Sequence, residues 1–324
     1  MPIDTTRSSP TRALQLNGAP PLVAILLSTF DGARHLNEQL NGYSAQTHSN
    51  WRLYWRDDGS SDESAALVEA FAAGQGYGRC VRHDGTGCLM ASNSFFALLR
   101  MSVEESAEYF AFSDQDDIWL PNKLAHGVAA LCLVPSGKPA LYFCARTLTD
   151  ESLVPLIQAP FPRRPPGFPA ALTQSVAPGC CVIVNRAAAE LIGKSPVPYG
   201  TWHDWWSYIV VAASDGVIIA GASPDILYRQ HGRNLVGEAL SLWRRGVGAL
   251  RRGRGSYLDR FWRHVAALHA WDAPLSEQTR AHLAIIERAR HGGLLARISA
   301  LRVPGLVRQT WLETQVFRLW FLWG

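Results

Sequence analysis

Three short, unbroken apolar segments alternate with amphipathic segments in the first third of the chain, and this alternation limits the fold more than any other feature. The apolar segments are LVAILLS at 22–28, WRLYW at 51–55 and EYFAFS at 108–113. An apolar run of this length is typical of a strand buried on both faces. After the first run, Leu36, Leu40 and Tyr43 recur at helical spacing. Buried strands that alternate with helices predict an α/β fold with a doubly wound, mostly parallel sheet.

A second helix is predicted after the segment DDGSSDE at 57–63. Ser60 and Glu63 have the spacing of a capping box, so the helix should start there and bury Leu67, Val68 and Phe71. Further strands are predicted in ALYFCA at 140–145 and CCVIVN at 180–185. The proline-rich residues 159–172 between them are either a loop over a functional site or an inert surface loop.

Charge divides the chain into two parts. Residues 232–324 contain fifteen arginines, no lysine and six carboxylates, a balance of +9, whereas the whole chain carries only +4. An acidic body with a basic tail suggests that the tail meets an anionic surface. We expect a disordered segment at 1–20, a catalytic α/β domain at 21–235, and a basic, Trp-rich helical region at 236–324.

Several classes of protein are disfavoured by what the sequence lacks. Its six cysteines have neither metal-finger spacing nor the pattern of a disulfide framework, and they are expected to be reduced, mostly buried thiols. No signal peptide is expected, because the apolar run near the N-terminus is short and begins with prolines. No run of 18 apolar residues predicts a transmembrane helix. No nucleic-acid partner is expected.

Three carboxylates follow the third apolar run directly, in the segment SDQDD. Asp114, Asp116 and Asp117 would repel one another at the end of a buried strand unless a cation compensates them. Oxygen ligands without nearby His or Cys in the segment suit Mg²⁺ or Mn²⁺, which would bridge to the phosphates of a substrate. The alternative is a solvated acidic loop that caps the next helix.

A second acidic pair, Asp57 and Asp58, follows the second strand. One of these carboxylates would accept the N3–H of a pyrimidine base, or the pair simply forms a turn with Gly59. Both acidic segments fall at strand ends, where ligands bind on sheets of this kind.

Two segments in the second half also carry candidate chemistry. In TWHDWW, Asp204 lies beside His203 and among tryptophans; a carboxylate in such an apolar setting has a raised pKa and serves as a general base. The alternative is a helix start with tryptophans in the core, although the rings would also suit a sugar. In YRQHGRN, Arg229, His231 and Arg233 would clamp phosphates, or the histidine is structural.

Seven motifs in order resemble the GT-A family 2 glycosyltransferases, in particular the bacterial rhamnosyltransferase-type branch. They span about residues 22–235 and are LLSTFDG, WRDDGSSD, GCLMASNSFFALL, FSDQDDIWLPNKL, APGCCVIVNR, HDWW and YRQHGRN. The resemblance implies a GT-A fold with one nucleotide-binding half, one acceptor half and Mg²⁺ or Mn²⁺ on the D-x-D. The Q-x-x-R-W motif of processive members is absent, which favours single transfer over polymerisation.

The resemblance also implies a role for individual residues. Asp114 and Asp116 form the D-x-D, with Asp116 favoured as the direct ligand, and His231 approaches the metal or the diphosphate. Asp204 is the catalytic base. The residues implied to bind the nucleotide or donor are Thr29, Phe30, Asp58, Asn93 and Asp114. Those implied on the acceptor side or in support are Asp117, Trp119, His203, Trp205 and Trp206.

The implied reaction is a direct, inverting transfer from a nucleoside-diphosphate sugar to an acceptor hydroxyl. The branch suggests dTDP-rhamnose as donor and a surface polysaccharide or lipid-linked saccharide as acceptor. A sugar nucleotidyltransferase is the first alternative, but STFDGARH lacks the Gly-rich, Lys-containing loop expected of one. An inactive scaffold or binding protein is the second, and the retained carboxylates argue against it.

The C-terminal segment VRQTWLETQVFRLWFLWG predicts a helix with a broad apolar face. The face comprises Val307, Trp311, Leu312, Val316, Leu319, Trp320 and Trp323. Together with nearby arginines, it predicts peripheral attachment to an anionic membrane surface, on the inner, cytoplasmic face of the cell membrane. The alternative is that this face packs on the catalytic domain or a second subunit.

Overall fold

The computed structural model describes residues 19–85, 87–231, 242–272 and 274–324. For residues 242–254 it describes the backbone alone. The predicted disordered segment 1–20 lies outside these ranges except for its last two residues. The boundary predicted at 235–236 and Arg233 also lie outside these ranges. For the arginines at 244, 245, 251, 252 and 254 the structure describes the backbone alone.

The N-terminal half is a parallel sheet covered by helices, as the alternation predicts. Strand β1 pairs on one side with β2 and on the other with β4, and β2 pairs with β3, all in parallel. The strands are β1 (Val23–Thr29), β2 (Trp51–Asp57), β3 (Cys80–Arg82) and β4 (Tyr109–Ser113). The helices are α1 (Ala33–Ser44), α2 (Ser64–Ala73) and α3 (Met90–Val103).

The second half extends the same sheet with mixed strand directions, in the order β3-β2-β1-β4-β8-β6-β9-β5 with β7 beside β6. Strands β4, β8 and β6 pair antiparallel, while β6 and β9 run parallel. The added strands are β5 (Ile118–Trp119), β6 (Ala140–Thr149), β7 (Pro155–Gln158), β8 (Val182–Asn185) and β9 (Val217–Arg229). The helices are α4 (Lys123–Leu131), α5 (Ala170–Thr173), α6 (Arg186–Lys194) and α7 (His203–Ala213). A 3₁₀-helix spans Gly179–Cys181.

The described C-terminal region is helical, as predicted. It consists of α8 (Leu242–Ala270), α9 (Glu277–His291), α10 (Leu294–Leu301) and α11 (Trp311–Trp323). A capping box between Thr310 and Glu313 starts α11. Phe317 and Phe321 of this helix are buried against Phe261 of α8, with ring centroids 5.8 and 5.7 Å away. None of the described helices combines the length and the apolarity needed to cross a membrane.

The capping box predicted at Ser60 does not form. Helix α2 begins at Ser64, whose backbone N–H donates to Asp62 at 2.9 Å. The Ser60 hydroxyl instead donates to Asp57 at 2.5 Å, because the turn after β2 folds back on the strand end. Val68 and Phe71 are buried as predicted, and Leu67 packs against the core while partly buried.

Candidate active site

The carboxyl ends of β1, β2 and β4 form the floor of the candidate site. Thr29 lies opposite Asp57 in the β1–β2 register, and its hydroxyl donates to the Asp57 carboxylate at 2.9 Å. On the other side, Leu27 of β1 lies opposite Ser113, the last residue before the acidic segment. The parallel register therefore brings both acidic segments of the sequence to one edge of the sheet.

The two aspartates after β2 face in different directions. Asp57 lines a cavity of about 310 Å³ together with Arg82, His83 and the loop residues that follow them. Burial raises the pKa of Asp57, but hydrogen bonds from Ser60 and the backbone outweigh burial and leave this pKa below its ordinary value. Asp57 thus presents a charged carboxylate at the border of the cavity.

Asp58 is buried and already engaged. It forms an ion pair with the buried Arg56, and it accepts hydrogen bonds from the Leu89 backbone at 2.7 Å and the Cys88 thiol at 3.2 Å. Arg56 also donates to the carbonyl groups of the loop after β3. The resemblance implied Asp58 as the nucleotide-facing acid, whereas the residues that the structure brings to the cavity are Asp57, Arg82 and His83. Their one sequence signal was their position at the ends of strands, since Asp57 ends β2 and Arg82 ends β3.

Phe30 is fixed to the acidic segment by its backbone. Its N–H donates to Gln115 Oε1 and its carbonyl accepts from Gln115 Nε2, both at 2.9 Å, while 52% of the residue surface is exposed. Gln115 also lies against Gly32, where an added Cβ would stand 2.2 Å from the amide oxygen. The exposed Asn93 donates to the Leu89 carbonyl at 3.1 Å, in the first turn of α3.

The three acidic side chains after β4 occupy distinct environments. Burial, followed by the charge of Asp116, raises the pKa of Asp114 to about 8. Asp117 is fully buried, its Oδ1 accepts the Arg229 backbone N–H at 3.3 Å, and burial again holds its pKa well above the ordinary value. Asp116 Oδ2 lies 2.8 Å from His231 Nε2. The structure thus brings together Asp116 and His231, which lie 115 residues apart in the sequence.

Arg229 ties the end of β9 to the acidic segment. Its Nε donates to the Asp116 carbonyl at 3.1 Å, and its guanidinium pairs with Glu38 of α1 and bonds to the Glu151 carbonyl. The ring of His35 lies 5.3 Å from the ring of His231. Sequence reasoning missed Glu38 and His35, since helical periodicity gives no sign that α1 faces this cluster.

A divalent metal fits these residues. Asp114 and Asp116 offer the carboxylate oxygens that suit Mg²⁺ and Mn²⁺, and His231 lies beside Asp116. The raised pKa of Asp114 has a physical cause in burial beside like charges, which a bound cation would relieve.

Asp204 lies in the first turn of α7, beside the 3₁₀-helix. Its carboxylate accepts the backbone N–H groups of Trp205 at 2.6 Å and Gly179 at 3.1 Å. Burial raises its pKa to about 6 in spite of these bonds. After burial and the charge of Asp116, the charge of Asp204 also contributes to the raised pKa of Asp114, so the two carboxyl groups are electrostatically coupled. At neutral pH Asp204 is mostly ionised and still basic enough to accept a proton.

His203, Trp205 and Trp206 are held in place by contacts within the core. The His203 ring stacks on Phe95 at 4.0 Å, and burial lowers its pKa to about 3, so it is neutral. The indole N–H of Trp205 donates to the Ala171 carbonyl at 2.7 Å, and that of Trp206 to the Ser195 hydroxyl at 2.8 Å. These contacts hold the three side chains in place, and their expected supporting role in the reaction stays a prediction.

Sugar stacking on these rings is not what the structure offers. Trp119, Trp205 and Trp206 are at most 5% exposed, because helix α7 and strand β5 turn them into the core. Among the tryptophans of the HDWW region, Trp202 is the exposed one, at 38%, and it carries the guanidinium of Arg260 at 4.5 Å from its ring centroid.

Comparison with known proteins gives one family. The model of the glycosyl transferase family 2 matches residues 25–190, about half of the chain. A dTDP-rhamnosyl transferase, RfbG of Shigella flexneri, is 24% identical over 236 residues, which are 66% of this chain and 75% of that protein. The chain spans only about two fifths of the length of the Rickettsia glycosyltransferases that it matches at 28% identity.

Solved structures share the fold at low sequence identity. The TarS 1–349 structure of S. aureus in complex with UDP-GlcNAc has a TM-score of 0.57 at 11% identity, covering 87% of this chain and 79% of that one. The mannosyltransferase PcManGT from Pyrobaculum calidifontis, in complex with GDP-Man and Mn²⁺, has a TM-score of 0.51 at 18% identity, covering 93% and 86%. These likenesses show a glycosyltransferase fold of the GT-A kind.

Proposed function

This chain belongs to glycosyl transferase family 2, and on that premise we propose that it moves one sugar from a nucleoside-diphosphate donor to an acceptor hydroxyl with inversion at the anomeric carbon. The observation that carries the proposal is the placement of Asp204, a partly buried carboxylate with a pKa of about 6, against the 3₁₀-helix whose Cys180 lies within 4.8 Å of Asp114. A candidate base thus lies near a cluster suited to a metal diphosphate.

The donor diphosphate is assigned to the acidic segment. Asp114, Asp116 and His231 would hold Mg²⁺ or Mn²⁺, and the Asp116–His231 contact of 2.8 Å supports their acting together. When bound, the cation supplies positive charge that stabilises the departing diphosphate. The buried Arg229 orients this cluster through its bond to the Asp116 carbonyl.

The nucleoside is assigned to the ends of β1 and β2. The buried Thr29 holds Asp57 through its hydroxyl, and the exposed Phe30 follows it at the end of β1. Asp57 and Arg82 border the cavity, and Asp58 fixes its wall through Arg56. Asn93, exposed at the start of α3, is within the same region of the fold and is assigned to the ribose or sugar.

Asp204 is assigned as the general base. It removes the proton of the acceptor hydroxyl while that oxygen attacks the anomeric carbon from the side opposite the leaving nucleoside diphosphate. The hydrogen bonds from Gly179 and Trp205 orient the carboxylate, and neutral His203 packs beneath it without taking a proton. No covalent sugar–enzyme intermediate is required.

Rhamnose from dTDP-rhamnose is the proposed sugar, supported by the 24% identity to RfbG, a dTDP-rhamnosyl transferase. The proposed acceptor is a surface polysaccharide or its lipid-linked precursor. The proposed catalytic domain covers residues 21–235, with 236–324 as an appended helical region.

We assign the C-terminal helices to the inner membrane surface. In α11 the phenylalanines are buried, while Trp311, Leu312, Leu319 and Trp323 are 50–72% exposed. The predicted apolar face is therefore largely the outer face of the helix, on a region with a net charge of +9. Exposed tryptophans and arginines favour an anionic interface, where a lipid-linked acceptor would be reached.

A donor screen tests the proposed function. Release of nucleoside diphosphate is measured for dTDP-rhamnose, UDP-glucose, UDP-GlcNAc and GDP-mannose, with Mn²⁺ or with chelator, for the wild type and Asp204→Asn. Metal-dependent release that is abolished by the substitution is expected, with dTDP-rhamnose the best donor. Pyrophosphate formation from a nucleoside triphosphate and a sugar phosphate would instead identify a nucleotidyltransferase.

A further inference from the structure

Three buried thiols form a row beside the acidic segment. Cys180 and Cys181 lie in the 3₁₀-helix with their sulfur atoms 3.9 Å apart, and Cys181 also hydrogen-bonds to Cys144 of β6. All three residues are at most 1% exposed. Their spacing along the chain gives no metal motif, so the row is a product of the fold.

Cys180 lies close to two of the carboxyl groups. Ligand atoms of Cys180, Asp114 and Asp117 are all within 4.8 Å of one another. Asp117 is completely buried, and its Oδ2 makes no close hydrogen bond among the described residues; the Cys180 thiol is the donor that favours the charged form of this carboxylate. A buried carboxylate served only by a weak thiol donor is costly unless the site receives a ligand that satisfies it.

We propose that Cys180, Asp114 and Asp117 bind a thiophilic divalent cation of the Zn²⁺ class, at a position separate from the Mg²⁺ or Mn²⁺ ligands Asp116 and His231. Zinc bond lengths of roughly 2.0–2.3 Å set tetrahedral ligand atoms about 3.4–3.8 Å apart, so the three side chains need to contract by about 1 Å. Asp114 is half-buried, so the cation and a water ligand enter beside it. The proton of the Cys180 thiol and those held by the two carboxyl groups leave to solvent as these side chains bind the metal.

The chemistry of the ligands separates the two positions. Mg²⁺ and Mn²⁺ prefer oxygen ligands and substrate phosphates, whereas Zn²⁺ gains from a thiolate. Asp114 belongs to both sets, so zinc bound at Cys180 withdraws a ligand from the proposed donor site. Zinc is therefore expected to inhibit sugar transfer and chelation to reverse the inhibition.

Cadmium, a spectroscopic substitute for zinc, tests the site without donor or acceptor. The full-length protein is titrated with Cd²⁺ while the ultraviolet thiolate-to-cadmium charge-transfer band is recorded. The wild type should show a saturable band at one equivalent, Cys180→Ser should lose it, and Asp117→Asn should bind more weakly. Cys132→Ser is the matched control, because the thiol of Cys132 bonds to the Ala129 carbonyl of α4, and it should keep the band.

X-ray absorption of the zinc-loaded wild type decides the matter if Cys180→Ser does not fold. One sulfur atom in the inner shell, with oxygen for the rest, is expected. A shell of oxygen and nitrogen alone, or an unchanged band in folded Cys180→Ser, overturns the proposal. Neither measurement depends on transfer, so failure here leaves the proposed function intact, and failure of the donor screen leaves the zinc site intact.

Discussion

Replacement of Asp204 by Asn is expected to stop transfer while leaving the protein folded and able to bind its donor. Asn cannot accept the proton of the acceptor hydroxyl, and loss of a general base lowers turnover roughly 10²- to 10⁴-fold. Donor affinity should hold, because the ligands assigned to the donor are Asp114, Asp116 and His231. Isothermal titration with the preferred nucleotide sugar and Mn²⁺ measures this affinity.

The pH dependence follows from the pKa of about 6 that burial gives Asp204. The base is active when ionised, so wild-type turnover should rise with pH through about 6 and level off above it. The residual activity of Asp204→Asn should lack this acidic limb. Turnover at saturating donor and acceptor, measured from pH 5 to 8, separates the two profiles.

The stability of the folded protein gives an independent check on the pKa of Asp204, because it falls over the pH range in which turnover rises. The folded pKa of Asp204 lies above its ordinary value of 3.8, so its contribution to stability is full below pH 3.8 and is lost as pH rises through about 6. The rise in this pKa corresponds to a loss of at most about 3 kcal/mol of folding free energy between acid and neutral pH. Because the Asp204 side chain is partly exposed, we expect a loss of about 1–2 kcal/mol. Losing one accepted hydrogen bond costs Asn about 1 kcal/mol. Asp204→Asn should therefore unfold at or slightly above the wild-type denaturant midpoint at pH 7.

Two results would refute the reasoning about Asp204. Near-normal turnover in the Asn variant would move the base elsewhere in the cleft. A variant that keeps the acidic limb near pH 6 would assign that limb to another group.

Three further outcomes are expected. Asp116→Ala should abolish metal-dependent donor binding without unfolding the chain, and calorimetric donor affinity that keeps its Mn²⁺ response would show the metal ligand to be misassigned. Mn²⁺ binding should release protons at pH 7 and tighten as pH rises toward 8, because the raised pKa of Asp114 keeps it mostly protonated without metal. Calorimetry in buffers of different ionisation enthalpy counts the released protons, and a count of zero would contradict this expectation. The double variant Trp311→Ala, Trp323→Ala should float less with anionic vesicles at an unchanged melting temperature, since both residues are at least 70% exposed. Phe317 is buried, so Phe317→Ala should instead cost about 3–5 kcal/mol of stability. A double variant that floats like the wild type would refute the membrane-binding role of this face.

The local sequence fixed the main elements in advance because burial on both faces of a strand requires a continuous apolar run. The segments at 22–28, 51–55 and 108–113 became β1, β2 and β4 with shifts of one or two residues at their ends. Leu36, Leu40 and Tyr43 are buried on α1 as their spacing predicts. The same pattern located both acidic segments at strand ends, and the parallel register then brought them to one edge of the sheet.

Side-chain direction at the turns was beyond the sequence. DDG at the end of β2 reads alike for either aspartate, and only the buried Arg56 turns Asp58 inward and leaves Asp57 at the cavity. For the tryptophans around HDWW, the sequence favoured a functional role, with rings suited to a sugar, over a place in the core. Packing decided for Trp205 and Trp206 as core, because their indole N–H groups meet the Ala171 carbonyl and the Ser195 hydroxyl.

What the sequence by itself determined is therefore the type and order of the elements, and the presence of carboxylates where strands end. The tertiary structure alone decided which distant residues meet: His231 with Asp116, and Cys180 with Asp114 and Asp117. In α11 it also decided that Phe317 and Phe321 are buried while Trp311 and Trp323 stay exposed. The reason is physical: periodicity records how polar each side of an element is, but contacts between distant elements depend on how the sheet curves and which faces pack together.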